Sequence, residues 1–148
     1  MGNKTYLVTG ASKGIGRSIA MRLAKDGIQI VLLARQSEEL EDACREVQSL
    51  SSSSFMIPCD LAQSDSIDAA IESFNGIDSI DGIVHNAGTI APIRSMFEAE
   101  TDAWERNIQV NITGVQRLTK GLYSKMKASE RCRVTRCLAE EGEKDGIT

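Results

Sequence analysis

VTGASKGIG, residues 8–16, follows the short apolar run TYLVT (5–9) and opens a segment of helical period. A glycine-rich turn in that position restricts the fold more than any other stretch of the chain. Gly10 permits a tight exit from a strand, Gly14 lets backbone amides approach a pyrophosphate, and Gly16 allows the following helix to lie close against the sheet. A purely structural turn would use the same glycines. The strand before it, the helix after it and a second strand in step with both favour nucleotide binding.

Short apolar runs alternate with longer segments of helical period, the pattern of a parallel sheet with crossover helices. TYLVT predicts the first strand and residues 14–26 the first helix, with Ile15, Ile19 and Leu23 as its buried stripe and Gly27 as its stop. IQIVLLA (28–34) is a near-continuous apolar strand of the kind buried on both faces. SEELEDACREVQSL (37–50) predicts a second helix, Ser37 capping it and two glutamates suiting the dipole of its first turn. SSSS (51–54) is expected to be a solvated connector, FMIPC (55–59) a third strand, residues 64–74 a third helix and DGIVH (81–85) a fourth strand. One long helix is expected over residues 101–127, with Trp104, Ile108, Val115, Leu118 and Leu122 on its apolar side. The expected class is α/β: a doubly wound, Rossmann-type parallel sheet over residues 1–134, incomplete on its C-terminal side.

Composition narrows the functional classes. A chain of 148 residues suits one domain. No run approaches the roughly 20 apolar residues that span a bilayer, and MGNKTYLVTGAS lacks the basic and apolar regions of a secretory signal. A cytoplasmic chain with no membrane partner is expected. With a net charge of -4 and no long basic run, a nucleic-acid partner is not expected either. Cys44, Cys59, Cys132 and Cys137 form no C-x-x-C pair and have no histidine at ligand spacing, so reduced thiols and no metal are expected.

Three residues separate Gly10 from Gly14, unlike G-x-G-x-x-G, and TGASKGIG resembles the T-G-x-x-x-G-x-G motif of short-chain dehydrogenases/reductases. CDL (59–61), HNAG (85–88) and WERNIQVNITG (104–114) resemble further motifs of that family, and the similarity covers about residues 4–128. It implies hydride transfer between a nicotinamide cofactor and a small carbonyl or alcohol substrate. Carried over residue by residue, it implies cofactor contacts from Gly10, Ser12, Lys13, Gly14, Ile15 and Gly16. It likewise implies an adenine border at Asp60 and Leu61, cofactor riboses flanked by Asn86, Ala87 and Gly88, and a place for Asn111 in the catalytic site. His85 stands where the family has its first Asn, and a hydrogen-bonded structural residue is the expected role. Asn111 falls between Ile108 and Val115 on the apolar stripe, where a structural hydrogen bond to a backbone carbonyl and a catalytic role both fit.

NAD would call for a carboxylate about 20 positions past the glycines. Arg35 stands there instead, between Ala34 and Gln36. Arg35 and Lys13 can pair with a 2′-phosphate, which favours NADP (NADPH) over NAD; solvated surface cations are the plainer alternative.

GLYSKMKAS (121–129) offers a rival for the chemistry, since the family's reactive pair is a Tyr with a Lys four residues on, aided by a Ser. Tyr123 and Lys127 reproduce that spacing. On one continuous helix, however, Tyr123 lies about 18 Å along the axis from Asn111 and about 120° around it, whereas a proton donor must come within about 3 Å of its target. The family carries its reactive Tyr on the next helix, so Tyr123, Lys125 and Lys127 are expected on a solvated face.

ERCRV (130–134) can begin a fifth strand, and TRCLAEEGEKDGIT (135–148) resembles the end of the family's catalytic helix and the turn into its sixth strand. The strand body, the Ser and the Tyr-x-x-x-Lys segment that should come between them are missing. This reads as an internal loss near Val134 and Thr135 together with an early stop. The expectation is an NADP-binding portion of such an enzyme, catalytically impaired, with an exposed apolar edge. Two alternatives stay open: an active NADPH-dependent reductase using Tyr123 and Lys127, and a non-catalytic protein that self-associates or pairs with a full-length relative.

Overall fold

The computed structural model describes residues 4–90, 93–95 and 97–134. The segment 135–148, read above as the remnant of a catalytic helix, lies outside the described residues, and so does Cys137. In chain order the elements are β1 (Thr5–Thr9), α1 (Gly14–Lys25), β2 (Gln29–Ala34), α2 (Glu38–Leu50), β3 (Phe55–Pro58), α3 (Ser64–Glu72) and β4 (Gly82–Val84). Then come α4 (Thr101–Ile108), a π-helical segment (Gln109–Thr113) and α5 (Gly114–Lys127). The strands pair in parallel in the order β3-β2-β1-β4. Arg133 adds a parallel bridge to Gly82 beyond β4. There the Ile83 amide donates to the Arg133 carbonyl (2.8 Å) and the Arg133 amide to that of Asp81 (3.0 Å).

The two-residue period of a strand sends neighbouring side chains to opposite faces. Leu7, Val31, Leu33, Ile57 and Ile83 face one way and meet Ile67 of α3, Phe74, and Leu118, Leu122 and Met126 of α5. Val8, Ile30 and Leu32 face the other way against Ala20 and Ala24 of α1 and Leu40, Ala43 and Val47 of α2. Each buried leucine stabilises the fold by roughly 2 kcal/mol relative to exposure. Covering both faces with helices makes the sheet doubly wound, which is why β2 needs an almost unbroken apolar run. Ser37 caps α2 as expected, its hydroxyl accepting from the Leu40 amide at 3.2 Å.

Three expectations need correction. The buried stripe of α1 is Gly16, Ala20 and Ala24, whereas Ile15 is 73% exposed and Ile19 and Leu23 are only partly buried. Small residues let the helix approach the sheet closely, so the bulky stripe beside them is turned outward. The serine connector is not solvated throughout. Ser54 is buried, its hydroxyl accepts from the Ile30 amide (2.9 Å) and its carbonyl from Gln48 Nε2 (2.8 Å), because backbone groups entering β3 beside β2 require partners. The long helix from Thr101 is interrupted by the π-helical segment, and only its second half buries the predicted face: Leu118 and Leu122 are enclosed while Trp104 and Ile108 are exposed.

Cys44, Cys59 and Cys132 are free and buried, and burial pushes all three thiols up, Cys132 to about 11. Among the described residues no group of His, Cys, Asp and Glu could hold a metal ion, and no helix is long and apolar enough to cross a membrane.

Candidate cofactor site

Parallel strands place all their C-terminal ends on one edge of the sheet, and a cleft of about 590 Å³ opens there. Its floor begins at the glycine turn. Gly10 adopts φ +65°, a left-handed conformation that only glycine takes without strain, and its amide donates to the Leu33 carbonyl at 2.7 Å. A Cβ on Gly10 would lie 2.9 Å from the Ala87 Cα, and one on Gly16 2.3 Å from the Gly10 carbonyl oxygen. The turn is therefore pressed between α1 and the segment leaving β4.

A hydrogen-bond lock fixes that contact. The Thr9 hydroxyl accepts from the amides of Asn86 (3.1 Å) and Ala87 (3.0 Å). Asn86 returns its Nδ2 to the carbonyls of Thr9 and Gly10, both at 3.2 Å. Asn86 thus spends its amide on the turn, while its edge, with Ala87 and Gly88, still lines the cleft.

One wall is cationic. Lys13 precedes α1 and Arg35 follows β2; both line the cleft, both are exposed, and no side-chain partner engages either among the described residues. Gln36 donates to Glu41 at 2.7 Å. Glu39, in the first turn of α2, shares this wall.

At the end of β3 stands Asp60. Its own amide donates to the Ser66 hydroxyl (2.9 Å), and its Oδ1 accepts from the Ala62 amide two residues on (2.9 Å), a local turn that fixes the carboxylate. Its Oδ2 lies 3.4 Å from a guanidinium nitrogen of Arg106, which reaches in from α4. Arg106 and Val110 line the cleft with Leu61 and Cys59.

Asn111, inside the π-helical segment, is exposed rather than on a buried stripe. Its Oδ1 accepts from the Thr89 amide at 2.8 Å and its Nδ2 donates to the Thr89 carbonyl at 2.6 Å. This two-way clamp on one residue's backbone places Thr89 on the cleft rim. Such π-helical interruptions are frequent at functional positions, since the extra residue per turn re-aims a side chain.

His85, just past β4, contacts the Thr119 hydroxyl through Nε2 at 2.9 Å. That hydroxyl donates to the Val115 carbonyl (2.8 Å), so His85 carries its proton on Nε2 and leaves a buried Nδ1 unpartnered among the described residues. Burial lowers its pKa to about 4 and keeps it neutral. Tyr123 is 41% exposed on α5 and does not line the cleft. The Lys127 ammonium sits 5.7 Å from the centroid of its ring. Lys125 departs from the expected solvated face: it is half-buried and donates to the Ile77 carbonyl at 2.6 Å.

Of the residues singled out in the sequence, Gly10, Ser12, Lys13, Arg35, Asp60, Leu61, Asn86, Ala87 and Gly88 come together on the cleft. Gly14 and Ile15 line a shallow groove along α1 instead, Gly16 is buried beneath the turn, and Asn111 acts behind Thr89. Sequence reasoning missed Thr89, Val110 and Arg106. Thr89 was legible as the residue after HNAG; Arg106 carries no local signal, since only the tertiary fold brings α4 to the end of β3.

The sequence and the fold are similar to those of known proteins. The family model for short chain dehydrogenases matches residues 4–147. A fatty acyl-CoA reductase from Acinetobacter baylyi is 33% identical over 126 residues, which are 83% of this chain and 42% of that protein. The structure of L-sorbose reductase from Gluconobacter frateurii, complexed with NADPH and L-sorbose, superposes with a TM-score of 0.89 at 27% identity, over 99% of this chain and 67% of that one. A putative short chain dehydrogenase from Shigella flexneri complexed with NADP gives 0.82 at 27% identity, over 90% and 58%. The chain spans less than half the length of the curated relative it matches. With its parallel sheet, its glycine turn locked to the Asn86 segment and a family match along nearly its whole length, the chain belongs to the short chain dehydrogenase family.

Proposed function

We propose that the cleft binds NADP(H) and that the chain is the cofactor-binding portion of an enzyme moving hydride between NADPH and a carbonyl or alcohol substrate. One observation carries this reading: Lys13 and Arg35 stand exposed on the cleft, at the glycine turn and just past β2, with no side-chain partner among the described residues. No carboxylate follows β2 directly, where a ribose 2′-hydroxyl would need one. The cofactor bound in the Gluconobacter and Shigella structures supports the choice. In this reading the turn at Gly10–Gly14 holds the pyrophosphate, Asp60 and Leu61 border the adenine, and Asn86 to Gly88 flank the riboses. The bound cofactor supplies the hydride. Asn111 is a positioning residue that fixes the Gly88–Thr89 rim. The chain by itself is catalytically impaired, because Tyr123 and Lys127 engage one another away from the cleft.

Fluorescence titration tests the cofactor assignment. Charge-assisted hydrogen bonds to a phosphate contribute about 1.5–3 kcal/mol, so NADPH should bind at least about tenfold more tightly than NADH. Arg35→Ala should erase most of that margin. Equal affinity of the wild-type chain for the two cofactors would overturn the proposal. A second reading, in which the chain pairs with a copy or a relative, is favoured by the exposed row Trp104, Ile108 and Ile112. Sedimentation of the purified chain as a monomer at micromolar concentration would set it aside.

A further inference from the structure

Among the described residues, Arg106 is the one cation on the cleft to which neither the glycine motif, nor the end of β2, nor the residue-by-residue resemblance gives a role, although WERNIQVNITG includes it. We infer that it is a positioning residue for Asp60 and so for recognition of the adenine end of the cofactor, a step that rests on the cofactor site proposed above.

The carboxylate of Asp60 has two oxygens in different situations. Oδ1 accepts from the Ala62 amide, while Oδ2 lies 3.4 Å from the guanidinium of Arg106, which lines the cleft together with Asp60. An ionised carboxylate offers about four lone-pair positions. One cationic partner on Oδ2 still leaves the carboxylate a lone pair to accept from the exocyclic amine of an adenine.

The element that delivers Arg106 is set up for this. No residue of α4 is buried, so packing alone does not orient it. It is held at two points further along instead. Gly114 lies so close to the Asp60–Leu61 turn that a Cβ there would sit 2.4 Å from the Leu61 carbonyl oxygen. Asn111 grips the Thr89 backbone on the opposite rim. Arg106 and Gly114 therefore bracket the turn at the end of β3 while Asn111 holds the end of β4, and the π-helical segment between them lets one helix serve both ends of the cleft.

The test is a double-mutant cycle read with two ligands, NADPH and reduced nicotinamide mononucleotide, which lacks the adenosine half. An ion pair this exposed couples weakly, so Arg106→Ala should weaken NADPH about three- to fivefold. The same substitution in an Asp60→Asn background should change the NADPH affinity less than about 1.5-fold, and Arg106→Lys should restore part of the loss. Affinity for the mononucleotide should stay unchanged in every variant. Equal losses with both ligands would mean that Arg106 serves the fold generally, and full additivity of the two substitutions would mean that it does not act through Asp60; either result overturns the inference. Failure of the wild-type chain to bind NADPH at all would instead remove the cofactor assignment on which it rests.

Discussion

Replacing Gly16 by alanine tests whether the close approach of α1 to the glycine turn is a real constraint. The added methyl would lie 2.3 Å from the Gly10 carbonyl oxygen and 2.5 Å from Asn86 Nδ2. Ordinary carbon contacts begin near about 3.5 Å, so backbone and side chain must retreat by about 1 Å. Overpacking of this kind costs about 1–3 kcal/mol. Displacing Asn86 also weakens its two hydrogen bonds to the carbonyls of Thr9 and Gly10, each worth about 1 kcal/mol. Alanine recovers up to about 1 kcal/mol of helix propensity. The net expectation is a loss of about 2–3 kcal/mol, which for a chain of this size lowers Tm by about 6–9 °C.

Gly14 supplies the control. It has φ +57° but nothing within 4 Å of an added Cβ, so Gly14→Ala should cost only about 1 kcal/mol of backbone strain, or about 3 °C. On the proposed cofactor site it should also weaken NADPH binding, by straining the backbone of the turn rather than by filling the cleft, which Gly14 does not line. Thermal unfolding by circular dichroism reads the first quantity and fluorescence titration the second. A Gly16→Ala variant melting within 2 °C of the wild type, or one more stable than Gly14→Ala, would refute the packing argument.

His85 is the only histidine of the chain, and its folded pKa of about 4 lies below the ordinary 6.5. Between those values the unfolded chain binds more protons, so stability should fall by about 2 kcal/mol from pH 7 to pH 5. Urea unfolding of wild type and His85→Gln at the two pH values should show that this loss is confined to the wild type; the same loss in both would mean that carboxylates cause it. Tyr123→Phe should leave NADPH affinity within about twofold of the wild type, because Tyr123 does not line the cleft. Turnover of a generic carbonyl substrate that disappears in this variant would restore Tyr123 to the chemistry.

The parts of the site that the sequence made legible share one property: their geometry is set within a few residues. The Gly10 turn, the Ser37 cap and the strand–helix alternation each follow from local backbone preferences and a short period. Asp60 and the HNAG segment were legible through the family resemblance, and the shared edge of parallel strand ends is the reason the structure brings them together on the cleft. The buried stripe of α1 was misread because amphipathic period marks both a bulky row and the small-residue row beside it, and the sheet chose the row that permits closer approach.

What the sequence determined alone is the class of fold and the position of the glycine turn at the strand ends, because hydrophobic period and glycine conformation act over neighbouring residues. Only the tertiary structure decided that Asn111 clamps Thr89, that His85 is paired with Thr119 and that Arg106 meets Asp60. Those contacts join residues 22 to 46 positions apart. Their partners are chosen by how the interrupted helix α4–α5 lies across the strand ends, a choice that depends on packing over the whole sheet.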